Sequence, residues 1–105
     1  MAIKIFWTDF SKKELRKIFK HYKDIANLNV AKNLVEGIIK KGNTLDFQTK
    51  IGQQEELLLN RKQEFRYLVY KSYKIIYWFN EPKQRIEIVD VFDARQYPEK
   101  IKRNK

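Results

Sequence analysis

From Glu64 onward the chain is written in short aromatic and β-branched runs, Phe65 to Tyr70, Tyr73 to Phe79 and Arg85 to Phe92. Such residues suit a pleated, half-buried surface, so the runs predict three strands. The polar connectors Lys71-Ser72 and Asn80 to Gln84 are short, and consecutive strands should therefore pair antiparallel. Apolar residues on both alternating faces of the second and third runs predict central strands, covered on one face and part-covered on the other. Ala2 to Trp7 alternates weakly and predicts a first strand. Thr8 then has the chemistry of an N-cap, while Ser11 and Glu14 offer capping-box spacing at an alternative helix start. Leu15, Ile18, Phe19, Tyr22 and Ile25 recur at steps of three and four, with Lys13, Arg16, Lys17, Lys20 and Lys23 away from that stripe. One face of this helix is core and the other basic. Ala31, Leu34, Val35 and Ile38 set up a second amphipathic helix, with Lys40, Lys41 and Gly42 as its C-terminal signal. The polar stretch Asn43 to Lys62 reads as a loop with room for a short helical turn. The expected fold class is α+β, in the order β-α-α-β-β-β, with an antiparallel sheet packed against an N-terminal helix hairpin. Residues 1–105 form one domain, ending in a basic tail over 98–105.

Composition narrows the partners more than it narrows the fold. A chain of 105 residues that is 43% hydrophobic can bury one core. The absence of cysteine excludes disulfides, thiolate metal sites and a thiol nucleophile, and it fits a reducing compartment. No signal peptide and no run long enough to span a membrane is present, so a cytoplasmic protein without a membrane partner is expected. The formal charge of +10 points to nucleic acid, the ribosome, an acidic protein or an anionic membrane surface. That charge collects at the two ends, because residues 1–26 hold seven basic and three acidic side chains and residues 94–105 hold five and one. The bland alternative is that many of these lysines serve solubility.

Motifs for nucleotide loops and common metal sites are missing, so neither a cofactor nor a metal is expected. His21 is the only histidine and reads as an exposed or half-buried helix residue. What remains is a basic and aromatic constellation of Arg66, Lys74, Arg95 and Tyr97. Guanidinium groups fork onto phosphate and rings stack on unpaired bases, which would suit RNA. The structural alternatives are a polar strand face for Arg66 and Lys74, and an ion pair with Asp90 or Asp93 for Arg95. Tyr97-Pro98 can equally end the strand. Leu34, Val35, Ile38 and Ile39 form a stripe broader than one sheet contact needs, and could offer an apolar seam to a partner.

In order and spacing, several segments resemble the RelE/ParE superfamily of type II toxin–antitoxin toxins. Phe6-Trp7-Thr8-Asp9-Phe10 with Lys13-Glu14-Leu15 is similar to the family's first strand and helix start. Phe65-Arg66-Tyr67-Leu68-Val69 resembles its arginine-bearing strand, Tyr73-Lys74-Ile75-Ile76-Tyr77 its Tyr-Arg-Ile-x-Tyr strand, and Val89 to Gln96 with Pro98 its terminal Arg-Gln-x-Pro strand. The resemblance implies a growth-arresting toxin neutralised by a cognate acidic antitoxin, for which the seam and Lys13, Lys17 and Lys20 are the candidate contacts. RelE-like members cleave mRNA on the ribosome, whereas ParE-like members block DNA gyrase and are not nucleases. The carry-over places Arg66 and Arg95 on family arginines, with Lys74 keeping charge but losing bidentate geometry. RelE-like cleavage leans on a tyrosine, or a histidine and tyrosine, several residues beyond the terminal arginine, whereas Tyr97 follows Arg95 by only two positions and no histidine is near. The Arg-Gln-x-Pro ending is closer to ParE-like and plasmid-stabilisation members. Ribonuclease action would need Arg66, Lys74, Arg95 and Tyr97 to converge on one concave face. The remaining alternative is a basic interaction domain without toxicity.

Overall fold

The computed structural model describes residues 3–46 and 49–104. Ala2 of the expected first strand, Phe47 and Gln48 of the expected loop, and Lys105 of the expected tail lie outside the described residues. The chain runs through β1 (Lys4–Trp7), α1 (Asp9–Ile25), α2 (Leu28–Asn43), β2 (Gln53–Gln54), β3 (Arg66–Tyr70), β4 (Tyr73–Asn80) and β5 (Arg85–Asp93). Short 3-10 turns occupy Thr44–Asp46, Glu56–Leu58 and Pro98–Asn104.

Thr8 is the cap that starts α1, since its Oγ1 accepts the Ser11 N–H at 3.2 Å. The same hydroxyl donates to the Ile88 carbonyl at 3.0 Å, which fixes the helix entry against β5. Ser11 lies inside the first turn, fully buried, with its hydroxyl donating to the Thr8 carbonyl at 2.8 Å. Asn27 caps α2 by accepting the Val30 N–H at 2.9 Å, so a two-residue link is enough to reverse the chain. α2 ends at Asn43, next to the expected Lys40, Lys41 and Gly42 signal. A Cβ at Gly42 would meet the Trp7 ring at 2.7 Å, so this glycine is explained by close packing against β1.

The sheet order is β1-β5-β4-β3-β2. β3, β4 and β5 form the expected antiparallel meander, but β1 joins β5 in parallel and the sheet is therefore mixed. The parallel edge follows from connectivity, because β1 leads directly into the helix hairpin and has no hairpin partner of its own. β2 adds a two-residue edge inside the stretch expected to be loop. Between Ile76 and Tyr77 the register slips, leaving Val89 extra on β5. As a result Ile88 and Val91 both face the helices, while Asp90 and Phe92 face away.

Two cores result, one on each face. Under the helices, Leu15, Leu34 and Ile38 pack on Leu68, Ile75, Tyr77, Ile86 and Ile88. On the opposite face, Phe65, Ile76 and Phe92 are covered by Leu58 and Ile101 from two 3-10 turns. The segment expected as a basic tail is thus folded onto the sheet through residue 104, with Ile101 fully buried. Arg103 pins it: Nη2 lies 2.8 Å from Glu14 Oε1 and 2.9 Å from Asp90 Oδ1, with the guanidinium between the Phe10 and Phe92 rings. Among the described residues no helix is long and apolar enough to cross a membrane.

Candidate functional site

Arg66 and Lys74 sit on adjacent antiparallel strands but project to opposite faces. Arg66 shares its face with Leu68 and Tyr70, and is paired across the ladder with Tyr77. Its Nε donates to Glu64 at 2.7 Å and its Nη1 to the Gly52 carbonyl at 2.9 Å. Lys74 lies on the face of Ile76, 3.0 Å from Glu55 Oε2 and 4.2 Å over the Tyr67 ring. Glu55 is only 3% exposed and also accepts the Leu57 N–H, so Lys74 compensates a buried carboxylate that caps a turn.

Arg95 is held on the helix side of the sheet, just beyond β5. Asp93 takes its Nε and Nη2, each at 2.9 Å, in a bidentate fork. Asp93 Oδ1 also accepts the Arg95 backbone N–H at 2.9 Å, so one carboxylate sets both the main chain and the side chain. Nη2 reaches the Tyr22 hydroxyl at 3.3 Å. Tyr73, on β4, is close enough for its phenol and that of Tyr22 to influence each other. The Arg95 hydrogen bond holds the Tyr22 phenol below its ordinary value and keeps the Asp93 carboxyl below the usual carboxylate range. Tyr73 is pushed the other way, by burial first and then by the neighbouring Tyr22 phenol. Asp93 in turn raises the already high value of Arg95, which stays cationic.

Beside this cluster a cavity of about 310 Å³ opens between α1 and the end of the sheet, lined by Lys17, His21, Tyr73, Asp93, Gln96 and Arg103, among others. His21 stands exposed, edge-on to Tyr22 at 5.0 Å. Tyr97 is 66% exposed. The four residues singled out from sequence therefore do not gather at one centre: Arg66 and Lys74 are on different faces, each with an acidic partner, and Arg95 belongs to a separate cluster.

Among the expected partner contacts, Leu34 and Ile38 are core residues, at 8% and 0% exposure, because the helix hairpin lies flat on the sheet. Val35 and Ile39 pack part-buried against that core, so of the four only these two keep apolar surface exposed. Lys13, Lys17 and Lys20 are exposed on α1, with Lys17 3.1 Å from Glu14. The exposed apolar residues of the hairpin cluster instead at its tip, Ile25, Leu28 and Val30. Sequence reasoning missed Tyr22, Tyr73 and Asp93 as a cluster. Tyr22 sits in the apolar stripe and Tyr73 in a strand run, and no spacing rule links a helix to residues fifty or more positions later.

Comparison with known proteins bears on the whole chain. The family model for the ParE toxin of the type II toxin–antitoxin system parDE matches residues 5–98. A solved structure described as the chromosomal ParDE TA system from P. aeruginosa superposes with a TM-score of 0.74 at 16% identity, covering 89% of this chain and 97% of that one. At that identity the likeness speaks for the fold. None of the curated proteins matches. The two-helix hairpin on a five-stranded sheet and the match over nearly the whole length agree, and the chain belongs to the ParE toxin family of type II toxin–antitoxin systems.

Proposed function

We infer that this toxin arrests growth by inhibiting DNA gyrase, as a binding protein without nuclease chemistry, and that a cognate acidic antitoxin neutralises it. The observation that carries the choice of mechanism is the separation of Arg66 from Lys74 across the sheet. Ribonuclease action needs cations gathered around one phosphate as charge develops on it, with a group nearby to move protons. Here Lys74 serves a buried glutamate, Arg66 is forked onto Glu64, and Tyr97 points to solvent. Arg95, 61% exposed, is left as the cation best placed to meet another macromolecule.

An antitoxin partner follows from the family, and its acidic character from the charge of +10. Lys13, Lys17 and Lys20 supply a basic ridge along α1 for it, and the part-buried Val35 and Ile39 its apolar border. Opposite charge would steer encounter and the neutral complex would hide the toxin's basic face.

The test is induction of the chain alone in a bacterial host, scoring growth, mRNA ends by primer extension and a DNA-damage reporter, beside supercoiling assays with purified gyrase. Arrest with intact mRNA, a strong damage signal and stabilised gyrase–DNA cleavage complexes is expected. Cut mRNA without a damage signal would instead establish ribosome-dependent cleavage, and harmless high-level expression would establish an inactive basic domain.

A further inference from the structure

The surroundings of Arg95 form a device that reaches across three parts of the chain. Asp93 grips the backbone and the guanidinium together, and Tyr22 comes from α1 to meet the guanidinium. The main chain on either side is fixed as well: Ala94 N–H donates to the Ser72 carbonyl at 2.8 Å and Gln96 N–H to the Asp93 carbonyl at 3.0 Å. So much ordering does little for the fold, because exposed ion pairs contribute little to stability. It does matter for binding. A long side chain already confined to one geometry loses less freedom when it meets a partner. Nη1 takes part in none of these bonds, and the side chain is 61% exposed, so the outward edge of the fork faces solvent.

We propose that Tyr22 and Asp93 are positioning residues that hold Arg95 ready for the contact by which the free toxin engages its target, with Nη1 meeting an acidic or polar group there. This rests on the reading of Arg95 as a target contact. The phenol of Tyr22 stops the guanidinium from rotating about its fork with Asp93, and packing of the Tyr22 ring on the helix-side core keeps that phenol in place. α1 and the segment after β5 then present the arginine as one rigid unit.

The experiment is a double-substitution cycle on the full chain. Tyr22→Phe, Arg95→Lys and the combination are purified and assayed for half-inhibitory concentration in gyrase supercoiling, for growth arrest on induction and for thermal unfolding. Lysine keeps the charge but cannot fork onto Asp93 and reach Tyr22 together. Tyr22→Phe is expected to weaken inhibition about fivefold with unchanged melting, and to change it less than about twofold in the Arg95→Lys background. An equal loss in both backgrounds, or no loss from Tyr22→Phe, overturns the proposal. If Tyr22→Phe lowers the melting temperature, Asp93→Asn, which breaks the carboxylate fork, takes its place in the same cycle with the same expectations. Growth arrest without gyrase inhibition would overturn the gyrase reading alone, and the cycle scored on growth would then decide the positioning role. A chain that neither arrests growth nor inhibits gyrase overturns both.

Discussion

The two faces of the sheet are closed in different ways. Under α1 and α2 the cover is apolar throughout: Leu15, Leu34 and Ile38 bring branched side chains down onto Ile75, Ile86 and Ile88. On the opposite face two short 3-10 turns supply only Leu58 and Ile101 to the buried cluster, and charge completes the closure. Arg103 reaches the fully buried Asp90, and Lys74 reaches the nearly buried Glu55. A four-turn amphipathic helix carries enough apolar area to cover a sheet, whereas three to seven residues of 3-10 helix do not. Short segments therefore dock through directional groups, and those groups tolerate loss of a partner poorly.

Replacing Ile38 by alanine should give the largest effect, about 3–5 kcal/mol in urea unfolding, because a fully buried branched side chain leaves a cavity in a well-packed core. Ile101→Ala should cost only about 2 kcal/mol, and hydrogen exchange should show the loss as opening of residues 98–104 and not of the whole sheet. Equal global losses at both positions would break the contrast between the faces.

Arg103→Met should cost about 3 kcal/mol, since it takes the guanidinium away from a fully buried aspartate. Adding Asp90→Leu should restore most of that loss, which chemical denaturation of the double variant measures. Failure to restore it would mean that charge on this face does more than replace apolar cover.

The smallest effect distinguishes the faces by pH. Tyr73 and Tyr77 both face the helices, and burial raises each phenol above its ordinary value of 10.0. An acid whose folded value is raised contributes its stability fully below the unfolded value and loses it as pH rises toward the folded one. Stability should therefore fall as pH rises above 10.0, with the fall shallower in Tyr73→Phe. Melting curves from neutral to alkaline pH test this. An unchanged slope in the variant would remove Tyr73 from the account.

Much of the helix face was legible beforehand. The stripe Leu15, Ile18, Tyr22 and the set Ala31, Leu34, Ile38 follow helical period, and the late runs follow strand composition, because burial on a regular element imposes its repeat on the sequence. Thr8 was legible as a cap for the same local reason. The candidate site was legible only in part. Arg66, Lys74 and Arg95 could be picked out by type and by resemblance. The opposite faces of Arg66 and Lys74 follow from the regular β3–β4 register, but the side on which Arg95 emerges does not, since the bulge opposite Ile76 and Tyr77 shifts the pairing of β5 without altering its composition.

Sequence alone determined the α+β class, the helix hairpin, the meander, the basic surface and the resemblance to RelE/ParE toxins, all of which rest on local periodicity, residue type or order along the chain. Tertiary structure decided the rest: the parallel seating of β1, the burial of Leu34 and Ile38, the docking of residues 98–104, and the meeting of Tyr22 with Arg95 across 73 positions. These depend on which distant groups come within a few ångströms, and hydrogen bonds and ion pairs of that range leave no period in the sequence to read.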